Sequence, residues 1–315
     1  MKKSGNLFTR TNEGFDRRDF VRRAGMAGIA IAGGAFLAGI PASANVVSFP
    51  SLLQDRDDND RDDRAVDTAQ EIFTAALIAE DLAITMYYNS LVGGVIQDPN
   101  LAGPGGDLSN PENLANVGYL QGALTEEIVH ANLLRKLIGG TNPSSDPVQT
   151  FFFPTGTFDS LQNVFPILLA LETAFIGAYL TAVQEFSLMA ARIEPFEHQQ
   201  FDSAGKPYGR DELTFFAKVA ASILGVEAEH RTLARAIPSI APGNTTFGGT
   251  DLFPADNVNF EQTDGLKTVY NGPNSAVVAL TPFITAGSGK SAFSFSIAIK
   301  NAGSVSVPTT GGLPD

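Results

Sequence analysis

Four stretches of the chain carry apolar residues with the composition of long helices, at about 66–92, 113–138, 159–189 and 211–237. At 1.5 Å rise per residue each would run for roughly 40 Å. Gly, Pro, Asn and Ser cluster between them, at 93–112, 139–157 and 190–210, as expected of connections. Gly139-Gly140 should stop the second helix and Pro238 the fourth, with Asp211 as the N-cap of the fourth. Pro166 should kink the third helix or mark its first turn. From Phe165 to Val183 the only charge is Glu172, a run nearly long enough to span a bilayer. Asn163, Pro166, Glu172 and Thr173 speak instead for a helix buried on most sides of a soluble bundle. Four such helices predict an all-α, four-helix bundle over 66–240, whose connections leave room for a long crossover. The remainder, 241–315, changes character, being rich in Gly, Pro, Asn, Thr and Ser. There Phe293, Phe295, Ile297 and Ile299 alternate with small or polar residues, a strand signal, and 276–284 reads as a partner strand or a short helix. A partly β, partly irregular C-terminal extension lying against the bundle is the expectation.

Composition narrows the chemistry. The 315 residues include no Cys, no Trp and three His. Disulfides, thiolate zinc sites, iron–sulfur clusters and cysteine nucleophiles are therefore excluded. Any bound metal must be held by carboxylates and imidazoles, ligands suited to Fe, Mn, Ca or Zn. The formal net charge of −13 argues against nucleic acid as a partner.

Residues 1–44 read as an address. A basic stretch precedes an uncharged Gly/Ala-rich run at 24–40, and Ala42-Ser43-Ala44 has the small-x-small form of a signal-peptidase site. Within it, Arg17-Arg18-Asp19-Phe20-Val21-Arg22 resembles the bacterial twin-arginine export signal, with Asp16 where Ser or Thr is usual. That resemblance implies a periplasmic or extracellular protein exported in the folded state, with no stable membrane span once the signal is removed. Removal of 1–44, with seven Lys/Arg and three Asp/Glu, takes the formal charge from −13 to −17. Residues 45–65 form a linker whose core, DRDDNDRDDR at 55–64, lacks the Gly and distal Glu of an EF-hand loop and reads as solvated.

Two of the three histidines have Glu at i−3: Glu127-Ile-Val-His130 and Glu227-Ala-Glu-His230. Residues i and i+3 share a helix face, so each pair can serve one metal from one helix. The other two helices each place one Glu in an apolar stretch with Tyr seven residues on: Glu80…Tyr87 and Glu172…Tyr179. Seven residues are two turns, so each Tyr falls on the face of its Glu. The chemistry is thus duplicated along the chain. Four carboxylates cannot be buried together unless positive charge accompanies them. Two divalent cations with two neutral imidazoles would balance them, an arrangement known for di-iron and di-manganese bundles. Glu71, about half a turn out of phase with Glu80, should face outward, and Glu126 and Glu229 should be exposed. His198 has no Glu at i−3 and reads as a surface loop residue.

The phrases IAEDLAITMYY, TEEIVHANLLRKLIGG, LETAFIGAYL and AASILGVEAEHRTLARAI resemble the ferritin-like superfamily. More narrowly, the chain is similar to bacterial secreted ferritin-like domain proteins related to plant desiccation-related proteins. The likeness covers about 66–240. It implies Glu127 and Glu227 as bridging ligands, Glu80 and Glu172 as terminal carboxylates and His130 and His230 as terminal imidazoles. Tyr87 and Tyr179 would orient carboxylates. It further implies two Fe or Mn ions with O₂ or peroxide as partner, in Fe(II) oxidation or a manganese catalase-like reaction. The usual rubrerythrin form is excluded, since it needs four cysteines. A non-enzymatic stress or desiccation protein with a structural metal site and an iron store are the alternatives, and the residues leave open whether the chain forms a homo-oligomer.

Overall fold

The structure, a computed structural model, describes residues 67–97, 111–191, 200–239, 268–272 and 275–306. The export segment, the acidic linker and His198 lie outside the described residues. Among these, six α-helices and one two-stranded sheet form the fold. The long helices are α1 (Ala69–Val92), α2 (Pro111–Leu137), α3 (Leu161–Ala191) and α4 (Arg210–Ser239). α1 packs along α2 and α3 along α4, and contacts of α1 with α3 and of α2 with α4 join the two pairs.

Helix α1 is the most enclosed, with 20 of its 24 residues buried. An apolar surface on all sides needs neighbours on all sides, and α2, α3 and the C-terminal helices supply them. It starts at a capping box: the Thr68 hydroxyl accepts from the Glu71 N–H at 3.2 Å and the Glu71 carboxylate accepts from the Thr68 N–H at 2.9 Å. Glu71, expected to face outward, is instead 8 % exposed, because its carboxylate turns back onto the helix end. At the other end, a Cβ on Gly93 would lie 2.6 Å from the Asn89 carbonyl and 2.8 Å from that of Phe158. Only glycine lets the two segments meet so closely.

Helix α2 ends as expected at Gly139-Gly140. Gly139, at φ 79°, donates to the Lys136 carbonyl, and Gly140 donates to that of Arg135, which together make a Schellman motif. The start of α4 differs from expectation. It lies at Arg210, so Asp211 falls inside the first turn, and the Gly209 N–H donates to the Glu212 carboxylate at 2.7 Å. Pro238 does not stop the helix before it but sits in its last turn. Pro166 likewise lies in the second turn of α3 rather than the first. α3 is long and apolar enough to cross a membrane by length and composition, and 56 % of its most apolar window is buried against the fold.

The connection between α2 and α3 contains β1 (Thr150–Pro154), which pairs antiparallel with β2 (Lys290–Ser294), Phe151 opposite Phe293. The C-terminal region also supplies α5 (Ala276–Ile284) and α6 (Phe295–Asn301). The strand expected through Ile299 therefore holds only to Ser294. Beyond it the buried residues are Phe295, Ala298 and Ala302, a helical spacing, while Ile297 is 57 % exposed. The alanines carry the period that the larger residues conceal. The Ser294 hydroxyl accepts from the Ile297 N–H and caps the new helix.

Two carboxylates clamp this region to the long helices. Asp67 accepts from the backbone N–H groups of Tyr270 and Asn271, and Glu185 on α3 accepts from those of Val269 and Asp67. Burial, reinforced by the charge of Asp67, pushes the Glu185 carboxyl up to about 8. Burial also raises Asp67, whose backbone donors oppose the shift and whose neighbour Glu71 adds to it. A carboxyl raised by folding contributes stability that is full below its unfolded pKa and lost as pH rises through the folded value. The melting temperature should accordingly fall between pH 5 and 8, and Glu185→Gln should flatten that part of the profile; an identical pH dependence in E185Q would disprove the assignment.

Candidate metal centre

One long helix after another delivers its carboxylate to the same place. Glu80 comes from α1, Glu127 and His130 from α2, Glu172 from α3, and Glu227 and His230 from α4. Glu127, Glu172 and Glu227 are wholly buried, Glu80 and His230 nearly so, and His130 is 8 % exposed. Their ligand atoms form two overlapping groups, each within 4.8 Å: Glu80, Glu127, His130 and Glu227, and Glu127, Glu172, Glu227 and His230. Glu127 and Glu227 belong to both.

The imidazoles turn Nδ1 toward the carboxylates. Nδ1 of His130 lies 3.3 Å from Glu80, 3.7 Å from Glu127 and 3.5 Å from Glu227. Nδ1 of His230 lies 3.0 Å from Glu127 and 3.6 Å from Glu227. Close as these atoms are, His230 Nδ1, Glu172 Oε2 and both oxygens of Glu127 and of Glu227 have no hydrogen-bond partner. Buried polar atoms without a partner are rare in folded proteins. Here they converge on common points rather than on one another, as ligands of a shared cation would.

The two tyrosines expected beside the cluster are there, but paired crosswise. The Tyr87 hydroxyl donates to Glu172 Oε1 at 2.5 Å, and the Tyr179 hydroxyl donates to Glu80 Oε1. Each Tyr thus serves the carboxylate of the other half of the chain, not the Glu two turns before it. Helix periodicity places the Tyr on the right face but says nothing of which neighbour lies opposite. Sequence reasoning also passed over Glu126. Its side chain is 48 % exposed, as expected, yet Oε2 lies 2.8 Å from His230 Nε2. Its position directly before Glu127 was the available signal. Glu229 is exposed. Of Arg135, Lys136 and Arg231, the nearest cations by sequence, Arg135 pairs with Asp81 and Asp146, and Arg231 donates to the Thr173 hydroxyl.

Protonation follows from this crowding. Burial, then the charge of Glu127, pushes Glu80 far above the usual carboxylate range, and burial with the charge of Glu227 does the same to Glu172. Burial opposes protonation of both imidazoles, but the surrounding carboxylates outweigh it and raise each of them. Burial also acts to raise Glu127, yet the contacts from Glu80, His130 and His230 hold it low. Burial and the adjacent carboxylates keep both tyrosines protonated as donors. With protein atoms alone, burial and mutual repulsion favour protons on Glu80 and Glu172, and the carboxylates favour protons on both rings.

No protein-family model, curated protein or solved structure matches the chain. The site is therefore read from its own geometry. The buried carboxylates and rings compensate one another in the metal-free chain, so removing one partner should cost stability while removing a pair should not. By denaturant unfolding in chelator, Glu227→Leu alone should lose about 3–5 kcal/mol, and Glu227→Leu with His130→Leu should be neutral or gain about 1–4 kcal/mol. A gain from the single change would show that the rings do not compensate Glu227.

Proposed function

We propose that the chain is an exported protein whose four long helices form a ferritin-like bundle around two Fe or Mn ions. The observation that carries this reading is the set of buried carboxylate oxygens and one imidazole nitrogen that converge without hydrogen-bond partners. Pairing of α1 with α2 and of α3 with α4, with the α2–α3 connection running from 138 to 160, supports the long-crossover topology. Glu127 and Glu227, common to both groups, would bridge the ions. Glu80 with His130 would complete one position and Glu172 with His230 the other. Four carboxylates against two divalent ions and two neutral rings leave the site without net charge.

When bound, such ions supply redox chemistry toward O₂ or peroxide, with Fe(II) oxidation as the leading reaction. The chain's own contribution is positioning and exclusion. Tyr179 holds Glu80 and Tyr87 holds Glu172 in fixed orientations by hydrogen bonds from groups that stay protonated. Near-complete burial keeps bulk water from the carboxylates. That same closure supports a second reading, in which the ions only stabilise the fold: binding to the native state alone adds stability by mass action. Export rests on the twin-arginine-like residues 17–22 and the Ala42-Ser43-Ala44 site.

Anaerobic titration of the purified chain with Fe(II) or Mn(II) should end at two ions per chain, and Glu127→Ala combined with Glu227→Ala should abolish uptake. Absence of stoichiometric binding by the native chain would refute the metal centre. Oxygen or peroxide consumption by the loaded protein separates the redox reading from the structural one.

A further inference from the structure

The two halves of the site repeat each other in their ligands and tyrosines: Glu127 and His130 on α2 correspond to Glu227 and His230 on α4, and the crossed tyrosine contacts are reciprocal. The residues beside the ligands differ, with Ile128, Val129 and Ala131 on α2 where α4 has Ala228, Glu229 and Arg231. The difference that reaches a ligand ring is the residue before the shared Glu. On α2 it is Glu126, whose carboxylate lies 2.8 Å from His230 Nε2. On α4 the corresponding residue is Val226, which has no acceptor to offer. Among the described residues, His130 meets carboxylates only through Nδ1, toward Glu80, Glu127 and Glu227.

That difference has a chemical consequence. A carboxylate oxygen 2.8 Å from Nε2 accepts its N–H, so in the neutral ring that would serve a metal Glu126 keeps the proton of His230 on Nε2. The lone pair of that neutral ring is then on Nδ1, which faces Glu127 and Glu227, and the ring cannot turn without breaking the bond. Outer partners of this kind raise the basicity of a ligating imidazole and are typically worth about 10–100-fold in metal affinity.

We infer that the two metal positions load unequally, with Glu126 as the positioning residue that makes the Glu127, Glu172, Glu227 and His230 group bind a divalent cation first. This rests on the dinuclear reading above. The group of Glu80, Glu127, His130 and Glu227 fills second, about 10–100-fold more weakly.

Co(II) is a suitable probe, followed on the full chain by calorimetry and by its ligand-field absorption. The native chain should bind in two resolved steps. Glu126→Val, which makes α2 match α4 at this position, should weaken the first step about 10–100-fold until the two merge, with two ions still bound. Glu126→Gln keeps an acceptor oxygen without the charge and should restore much of the separation. In the Zn(II)-loaded chain, nitrogen NMR should find the His230 proton on Nε2, and E126V should lose that fixed tautomer. Glu126 is half exposed, so neither variant removes core packing. Two steps unchanged in E126V, or both weakened equally, would overturn the inference while leaving the dinuclear site standing. A native chain that takes up no Co(II) would overturn the site as well.

Discussion

Four carboxylates held out of water at the meeting of four helices set the terms for the rest of the molecule. Each would be expensive to bury alone, and together they repel. Among the described residues, no salt bridge from a Lys or Arg to these four carboxylates is seen. Arg135, buried one turn beyond His130, is committed to Asp146 at 2.5 Å and to Asp81 at 3.5 Å, and so neutralises a different acidic pair. Small cations, protons or metal ions, are what such a cluster can take up. Burial and mutual repulsion favour protons on Glu80 and Glu172, and the carboxylates favour protons on both rings. Four protons and two divalent ions carry the same charge, so bound metal ions would replace those protons without altering the net balance.

The duplication along the chain becomes interdependence in space. Tyr87 follows Glu80 by two turns yet holds Glu172, and Tyr179 follows Glu172 yet holds Glu80. Glu127 approaches His230 and Glu227 approaches His130 across the same interface. Neither half could keep its carboxylates oriented alone, so the site forms only when α1 and α2 dock against α3 and α4. Helix packing and site geometry are therefore one cooperative event, in which polar groups help to hold the helices in register.

The parts legible in the sequence are those that depend on short-range periodicity. Glu-x-x-His puts both residues on one helix face whatever surrounds it, and Gly139-Gly140 terminates a helix by backbone conformation alone. What was not legible depends on the partner across a gap. The Tyr–Glu pairing needs the neighbour's identity, and the phase of Glu126 on its helix predicts its exposure but not the His230 ring that it reaches. Phe293 to Ile299 misled for a different reason. A strand and a short helix abut at Ser294, so apolar residues at every second position span two elements, and the buried alanines that reveal the helix carry little hydrophobic weight. Asp67 and Glu185 gave no signal because their partners are backbone N–H groups more than 80 positions away.

The C-terminal region bears on the site through water. α5 and Val269 close an apolar cavity of about 20 Å³ between α1 and α3, lined by Ala75, Ala76, Ala79, Ala178 and Tyr179 among others. α5 enters that wall through Val277 and Leu280, alongside Ile72 and Phe175, and the Val277 N–H donates to the carbonyl of Val269, whose own N–H is held by Glu185. The Tyr179 hydroxyl reaches Glu80 from a ring that forms part of the cavity wall. The wall that carries Tyr179 is thus shared with residues some 200 positions along the chain from Glu80. A segment that reads in sequence as an appendage belongs, in physical terms, to the surroundings of the tyrosine that holds Glu80.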